Sequence, residues 1–347
     1  MDKLRSGRNS PVLRIAKSQL VLPALSPGRK SEKVLSPRGE VKRPNFGNYR
    51  GWKTDRSVLS PVLPSLSCPT LSLLLHHSQS GFTHAGLPHT NQDALFLHER
   101  ENCYVLGVCD GHGTWGHEVA QRLAQLLPEE LYARLEDSGR SQNEVRNTLE
   151  MAVKRAASEV EAIDVDLSSS GCTCTCVLVL NRAIYCANVG DSRAVLGRKS
   201  CGIWSVCHLS WDHKPEDPAE RQRIQDCGGE VAAGRQGTMR VYVKNEGFPG
   251  LAMSRSVGDL VATTVGVTAE PDVNFLRVSP TDKFILVASD GLWDVVPSIE
   301  AVALVGTYLD RDQSSKSLQA LVHLAQSRWL KRGRADDISV ILGFISA

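Results

Sequence analysis

Short apolar runs of β type, separated by polar turns, recur from about residue 70 onward. The run "DALFLHERENCYVLGVCDG" predicts a strand, a polar turn and a second strand. "CTCVLVLNRAIYCANVGDSRAVLGRKS" predicts two strands joined at Asn181-Arg182 and a third after Gly190-Asp191. "KFILVASDG" and "DISVILGFI" are β-branched runs typical of buried strands. This part of the chain is therefore expected to be rich in β-sheet.

Helical patterns lie between the strands. "GHEVAQRLAQLLPEELYARL" has apolar residues at helical spacing, and Ser141 with Glu144 forms a capping box ahead of a second such segment. "PAERQRIQDCGG" ends in glycines, and "SLQALVHLAQSRWLKRG" ends in basic residues and a glycine, as helices often do. Strands in hairpins with helices in blocks predict an α+β layered domain rather than a doubly wound βαβ one.

Charge divides the chain into two parts. Residues 1–57 carry fourteen basic and four acidic side chains, a net charge of +10, and are rich in Pro and Ser with few aromatics. We expect a disordered basic tail there and a folded domain over residues 58–347, whose 26 basic and 34 acidic side chains give −8. An acidic domain argues against binding of nucleic acid. Four Ser-Pro pairs in or beside the tail suit proline-directed phosphorylation, although a plain solvated linker explains them equally well.

The ten cysteines indicate a reducing compartment. They are scattered without a CxxC pair, which is typical of a cytoplasmic or nuclear protein. "CTCTC" alternates with period 2, so Cys172, Cys174 and Cys176 are expected to pack on one face of a strand rather than to bind zinc. The apolar stretch 58–75 contains three prolines, and we expect no membrane span.

Acidic residues stand where the predicted strands end or begin. Asp110 and Asp290 each follow an apolar run and precede a glycine, Asp191 follows another run, and Asp336 precedes one. In antiparallel neighbours, the end of one strand and the start of the next share a rim of the sheet. Carboxylates gathered there repel one another unless a cation neutralises them, and hard oxygen ligands select Mg²⁺ or Mn²⁺.

The motif Asp110-Gly111-His112 suggests what such a rim could do. An Asp110 carboxylate that bridges two cations about 3.5–4 Å apart would form a two-metal site for attack of water on phosphorus. Gly111 would let its own carbonyl approach the ions, and His112 would donate a proton to the leaving oxygen. Any one Asp-Gly pair alone is usually a turn, but four acidic strand ends in one domain are a stronger signal.

With these motifs in order, the chain resembles the metal-dependent, type 2C family of protein serine/threonine phosphatases over roughly residues 80–346. The segments that carry the resemblance are "NQDALF", "VCDGHGTWGH", "SGCTCTCVLVL", "CANVGDSRAVL", "WDHKPEDPAERQRIQDCGGEV", "PGLAMSRSVGD", "AEPDV", "FILVASDGLWDVV" and "ADDISVIL". The resemblance implies a β-sandwich of two antiparallel sheets flanked by helices, a monomer, and a signalling role on phosphorylated protein substrates.

The same resemblance implies a site built around two Mg²⁺ or Mn²⁺ ions. Asp110 matches the carboxylate that bridges both ions, and Gly111 matches the glycine whose carbonyl joins it. Asp290 and Asp336 match further ligands of one ion.

Other positions match residues that act beside the two ions. Asp93 matches an acid that holds a metal-bound water, and His112 matches the proposed general acid. Asp191 and Asp294 match acids implicated in a weaker third metal position. The expected activity is thus hydrolysis of phosphoserine and phosphothreonine in proteins by a metal-activated water. No cysteine heads a glycine-rich, Arg-ending loop, which disfavours a Cys-dependent phosphatase.

Three positions depart from the family pattern. Gln92 stands where many members have Glu, Pro88 where many have a phosphate-binding Arg, and Asp337 where Asn is usual. Gln92 and Pro88 support an alternative function, a catalytically weak pseudophosphatase that acts as a binding or scaffold protein. Asp337 would add negative charge near Asp336 and partly offset the charge missing at Gln92. The candidate replacements for the arginine are His89, Arg240 and Arg255.

Overall fold

The computed structural model describes residues 70–83, 87, 89–101, 103–137, 141–234 and 237–346. The predicted tail of residues 1–57 lies outside the described residues, as do the first twelve residues of the predicted domain and Pro88. The strands among the described residues are β1 (Leu71–Gln79), β2 (Ala94–Arg100), β3 (Cys103–Cys109), β4 (Gly111–His112), β5 (Gly171–Cys172), β6 (Cys174–Leu180), β7 (Ala183–Val189), β8 (Arg193–Ser200), β9 (Ile203–His208), β10 (Gly229–Ala233), β11 (Met239–Val243), β12 (Pro249–Leu251), β13 (Val257–Gly258), β14 (Asp272–Arg277), β15 (Asp282–Ala288) and β16 (Ile338–Ile345). The helices in the same ranges are α1 (Gly116–Asp137), α2 (Gln142–Val160), α3 (Pro218–Asp226), α4 (Leu260–Thr263), α5 (Asp290–Trp293), α6 (Ser298–Leu309) and α7 (Ser314–Arg332).

Two five-stranded antiparallel sheets form the centre of the domain. Their strand orders are β1-β16-β15-β8-β9 and β14-β7-β6-β3-β2. Side chains from both sheets, among them Leu106, Val177, Ile285 and Ile341, are fully buried together between them. Because alternate residues of a strand face opposite sides, the other faces are free to bind helices.

Helices cover the outer face of each sheet. α1 and α2 pack on the sheet that contains β3, and α6 and α7 pack on the sheet that contains β15. The side chains of Cys172, Cys174 and Cys176 are buried in the first of these cores, which confirms that the "CTCTC" run packs on one face. The predicted class, a β-sandwich of two antiparallel sheets flanked by helices, is confirmed.

Local sequence signals account for several of the elements. Asn181 and Arg182 both have positive φ, 51° and 56°, and close a two-residue hairpin between β6 and β7. Ser141 is the N-cap of α2, and the reciprocal bonds of the predicted capping box with Glu144 are both present. Gly333 ends α7 in the left-handed conformation at φ 70°.

Two smaller sheets extend the sandwich. β13-β5-β4 lies beside the end of β3, while β10-β11-β12 forms a flap with its own core around Ile224, Val241 and Leu251. None of the helices in the described ranges is long and apolar enough to span a lipid bilayer.

The C-terminal half of α7 is tied to the short helix α5 and the turn that follows it. The indole N–H of Trp329 donates to the carbonyl of Gly291 at 2.6 Å. Arg332 donates to the carbonyl of Asp294 at 2.8 Å, and Arg328 donates to that of Val295 at 2.7 Å. The outer helix therefore holds the backbone that carries Asp290.

Candidate active site

The ends of three strands place three acids on one rim. β3 ends one residue before Asp110, and β16 begins two residues after Asp336. β15 pairs with β16 so that Ala288, its last residue, lies opposite Val340, and Asp290 follows two residues later. The backbone of Asp110 is fixed on both sides, since its N–H donates to Thr173 Oγ1 at 3.0 Å and its carbonyl accepts from the N–H of Thr173 at 2.9 Å.

The acids at this rim act on one another electrostatically. Burial, followed by neighbouring carboxylates, raises the pKa of Asp110 well above its usual range. The carboxylates that act on Asp110 are those of Asp93, Asp290, Asp336 and Asp191. Burial also raises the pKa of Asp290, with further contributions from Asp336, Asp191 and Asp294. Every acid predicted for the metal site thus belongs to one cluster of mutually repelling charges.

Asp93 is buried and interacts with Asp337 and Ser339 at the start of β16. Burial and the charge of Asp337 raise the pKa of Asp93 to about 8. Its Oδ2 accepts a hydrogen bond from Ser289 Oγ at 2.8 Å, whereas its Oδ1 is buried without a hydrogen-bond partner among the described residues. An unpartnered buried carboxylate oxygen is costly, so a water molecule or a cation is the expected neighbour.

Asp191 and Asp294 interact with each other and with Lys214. Asp191 is 2% exposed, its Oδ2 forms an ion pair with Lys214, and its Oδ1 is buried without a partner within the described ranges. Burial raises the pKa of Asp294, and the positive charges of Lys214 and Arg332 partly counteract this rise.

The chemistry of this donor set fits hard divalent cations. The described residues contain no three His, Cys, Asp or Glu side chains already arranged around a common metal position. The carboxylates nevertheless repel one another, and the unpartnered oxygens of Asp93 and Asp191 are the type of donor that Mg²⁺ and Mn²⁺ prefer. At Gly111 an added Cβ would lie 2.3 Å from the carbonyl oxygen of Gly116, so only glycine fits at this point of the rim.

His112 is held by an acid that the sequence analysis did not assign. Its Nε2 lies 2.6 Å from Asp259 Oδ2, and the hydroxyl of Ser256 donates to the same oxygen at 2.6 Å. Burial alone would lower the pKa of His112, but the charge and hydrogen bond of Asp259 outweigh it and raise this pKa above its usual value. Asp259 therefore orients the imidazole and favours its protonated form.

Two glycines make the contact between His112 and Asp259 possible. In the sheet β13-β5-β4, His112 pairs with Gly171, which pairs on its other side with Gly258. A Cβ on Gly171 would lie 2.4 Å from Asp259 Oδ2. The motif "SRSVGD" was recognised as part of the family pattern, but these two-residue strands give no periodic signal that would pair its Asp with His112.

The residues that depart from the family pattern have defined contacts. Gln92 Nε2 donates to the carbonyl of Gly113 at 2.7 Å, so this amide fastens the loop that contains His112. Asp337 accepts bonds from the backbone N–H groups of Gly81 and Gln92 at 2.7 and 2.8 Å. Its carboxylate thus binds the segment before β2.

Of the three side chains considered as replacements for the missing arginine, two have other partners. Arg255 binds Glu220 and Asp272, and Arg240 donates to the carbonyl of Gly250. His89 remains partly exposed, with Nδ1 3.6 Å from Asp337 Oδ1.

Comparison with known proteins identifies the family. Residues 75–331 match the family model "Protein phosphatase 2C". The chain belongs to the protein phosphatase 2C family. Among curated relatives, it is 34% identical over 274 residues to "Probable protein phosphatase 2C 64" of Oryza sativa subsp. japonica, an alignment that covers 75% of this chain and 64% of that protein. It is also 32% identical over 293 residues to "Probable protein phosphatase 2C 73" of Arabidopsis thaliana, with 76% and 78% covered.

Solved structures agree with the family assignment at the level of the fold. A "serine-threonine phosphatase 2C from Toxoplasma gondii" superimposes with a TM-score of 0.70 at 22% identity, covering 82% of this chain and 98% of that one. Membership in the protein phosphatase 2C family identifies the chain as a protein serine/threonine phosphatase. Family membership thus supports dephosphorylation of proteins as its activity.

Proposed function

We propose that the chain hydrolyses phosphoserine and phosphothreonine esters in proteins at a two-ion Mg²⁺ or Mn²⁺ site on the acidic rim. The observation that carries the proposal is the convergence of Asp110, Asp290 and Asp336 at one end of the two sheets, where burial and mutual repulsion raise the pKa of Asp110 and of Asp290. Such a cluster is stabilised by cations, and family membership supplies the phosphoprotein substrate.

The acids of the rim would have two roles in this hydrolysis, binding of the ions and binding of water. Asp110, with the carbonyl of Gly111, together with Asp290 and Asp336 would hold the ions. When bound, those ions would supply a nucleophilic water and neutralise charge on the phosphoryl group. The free Oδ1 of Asp93 is available to accept a hydrogen bond from that water.

His112 would complete the reaction as the proton donor. Its protonated form, favoured by Asp259, would donate a proton to the serine or threonine oxygen as the phosphorus–oxygen bond breaks. The products are a free hydroxyl side chain and inorganic phosphate, without a covalent phosphoenzyme. Among the described residues, Gln92 still binds the loop that contains His112, so the change from Glu at this position does not by itself favour the pseudophosphatase alternative.

The test uses the full chain and a phosphothreonine peptide. Phosphate release is measured with Mn²⁺, with Mg²⁺ and with a chelator, and Mn²⁺ binding is measured by calorimetry. We expect metal-dependent turnover that falls at least about a hundredfold in Asp290→Asn, since a rim ligand is lost. Asp310→Asn is the matched control, because Asp310 pairs with Lys199 and Trp204 elsewhere. A folded chain that binds Mn²⁺ but releases no phosphate would instead favour the pseudophosphatase.

A further inference from the structure

The segment Trp211–Lys214 belongs to the motif "WDHKPEDP", to which the proposed mechanism gives no role. His213 in this segment is hydrogen-bonded to the turn that carries Asp191. The backbone N–H of His213 donates to the carbonyl of Gly190 at 2.9 Å, and the N–H of Gly190 donates back to His213 Nδ1 at 3.1 Å. Because Nδ1 accepts this bond, Nε2 carries the proton toward Asp272, 3.1 Å away. The turn is therefore fixed by His213 without help from Lys214.

Lys214 makes a different kind of contact. Its ammonium group forms an ion pair with Asp191 Oδ2 and lies near enough to Asp290 and Asp294 for their charges to interact. The side chain as a whole is 28% exposed, whereas that of Asp191 is 2% exposed.

Asp191 and Asp294 are the acids for which the family resemblance implies a weaker third ion. The carboxylate of Asp191 has one oxygen in the ion pair and the other, Oδ1, buried and unpartnered within the described ranges. A divalent ion at this carboxylate would meet the ammonium of Lys214 at close range. Like charges at contact distance, at an effective dielectric constant of about 20, change an affinity by more than tenfold.

We propose that the ammonium group of Lys214 competes with a divalent ion for the carboxylate of Asp191. This competition would determine how many divalent ions bind at the rim. The proposal rests on the proposed function, because it concerns the same rim. It assigns Lys214 as a positioning and selectivity residue rather than a catalytic one. The rim would then bind two exchangeable metal ions, and the ammonium group of Lys214 would supply a third positive charge.

The experiment measures Mn²⁺ binding to the folded full chain by calorimetry, with no substrate present. In Lys214→Met we expect either one additional Mn²⁺ bound or a weak event made about tenfold tighter, since the competing charge is gone and His213 still holds the turn. Lys214→Arg keeps the charge and should bind Mn²⁺ like the wild type. Lys283→Met is the matched control, because Lys283 donates to the carbonyl of Pro280 and forms no ion pair with the acids of the rim in the described ranges.

A double variant locates the new binding. Adding Asp191→Asn to Lys214→Met should abolish the gain, because the carboxylate that Lys214 releases is lost. Wild-type binding in Lys214→Met, or a gain that survives Asp191→Asn, would overturn the proposal. These results are separable from failure of the proposed function. A wild-type chain without Mn²⁺ binding or phosphate release would refute the phosphatase mechanism, whereas a new Mn²⁺ event in Lys214→Met would still support the role of Lys214.

Discussion

Asp337 Oδ2 accepts a hydrogen bond from the backbone N–H of Gln92 at 2.8 Å, and thereby joins the start of β16 to the start of β2. The other carboxylate oxygen accepts from the backbone N–H of Gly81 at 2.7 Å. Asp93 follows Gln92 directly, so the position of Asp93 on the rim depends on this bond. The negative charge that Asp337 adds reaches Asp93, whose pKa it raises. The same carboxylate is also engaged by two backbone donors.

Replacing Asp337 should therefore affect stability. In Asp337→Ala two N–H groups lose their acceptors, and we expect the free energy of unfolding to fall by about 2–3 kcal/mol in urea denaturation of the metal-free chain. Asp337→Asn keeps one acceptor oxygen and should lose less, about 1 kcal/mol. Equal stability of Asp337→Ala and wild type would show that the two bonds contribute nothing net.

Gln92→Glu should change stability and metal binding in opposite directions. A glutamate cannot donate to the carbonyl of Gly113, so the metal-free chain should lose about 1 kcal/mol of unfolding free energy. The added carboxylate should tighten Mn²⁺ binding about tenfold, measured by calorimetry. Gln92→Ala is the control, because it loses the bond and adds no charge. If Gln92→Glu bound Mn²⁺ no better than Gln92→Ala, position 92 would lie outside the reach of the ions.

Asp259→Asn tests the support of His112. The asparagine cannot favour the protonated imidazole, so kcat should fall about ten- to a hundredfold with little change in KM. Calorimetric Mn²⁺ affinity should stay at the wild-type value. Ser256→Ala removes only the hydroxyl that donates to the same oxygen, and a smaller loss of kcat is expected. A fall in Mn²⁺ affinity as large as the fall in kcat would mean that Asp259 acts on the ions instead.

The ion pairs of Glu220 next to the flap should make the stability of the chain sensitive to acid. Burial alone would raise the pKa of Glu220, but hydrogen bonds from Arg223, Arg255 and Ser254 outweigh it and hold this pKa far below its usual value. The unfolded chain then binds the proton more tightly, so this contribution to stability is complete above about pH 5 and is lost as the pH falls.

The measurement is the free energy of unfolding between pH 6 and pH 3, from urea denaturation. Glu220→Gln should be less stable than wild type at pH 6, and the difference should shrink as the pH approaches about 3. Glu159→Gln, on the exposed side of α2, should keep the wild-type pH dependence. A Glu220→Gln difference that stays constant with pH would contradict the predicted linkage.

Local signals were sufficient to predict the parts of the fold that carry the acids. Asp110 and Asp290 could be placed because a buried strand and an Asp-Gly turn are both visible in a short window of sequence. The capping box of Ser141 likewise located the start of α2. α6 was not predicted, because Glu300 is the only charged residue in "SIEAVALVGTYL" and the segment shows no polar face at helical spacing.

Contacts between distant segments could not be predicted in the same way. His112 and Asp259 are separated by 147 positions, and they meet through a sheet of two-residue strands. Lys214 and Asp191 meet because His213 returns to the turn at Gly190. In both cases the residue types were visible in the sequence, but the pairing depends on tertiary geometry that no periodicity encodes.

The bonds from Trp329 and Arg332 to the backbone around α5 have a mechanical consequence. α7 spans 19 residues on the outside of the sandwich, while Gly291 and Asp294 flank the acidic rim. Loss of the C-terminal half of α7 would therefore remove two bonds that hold the backbone next to Asp290, although no side chain of this helix is itself an acid of the rim.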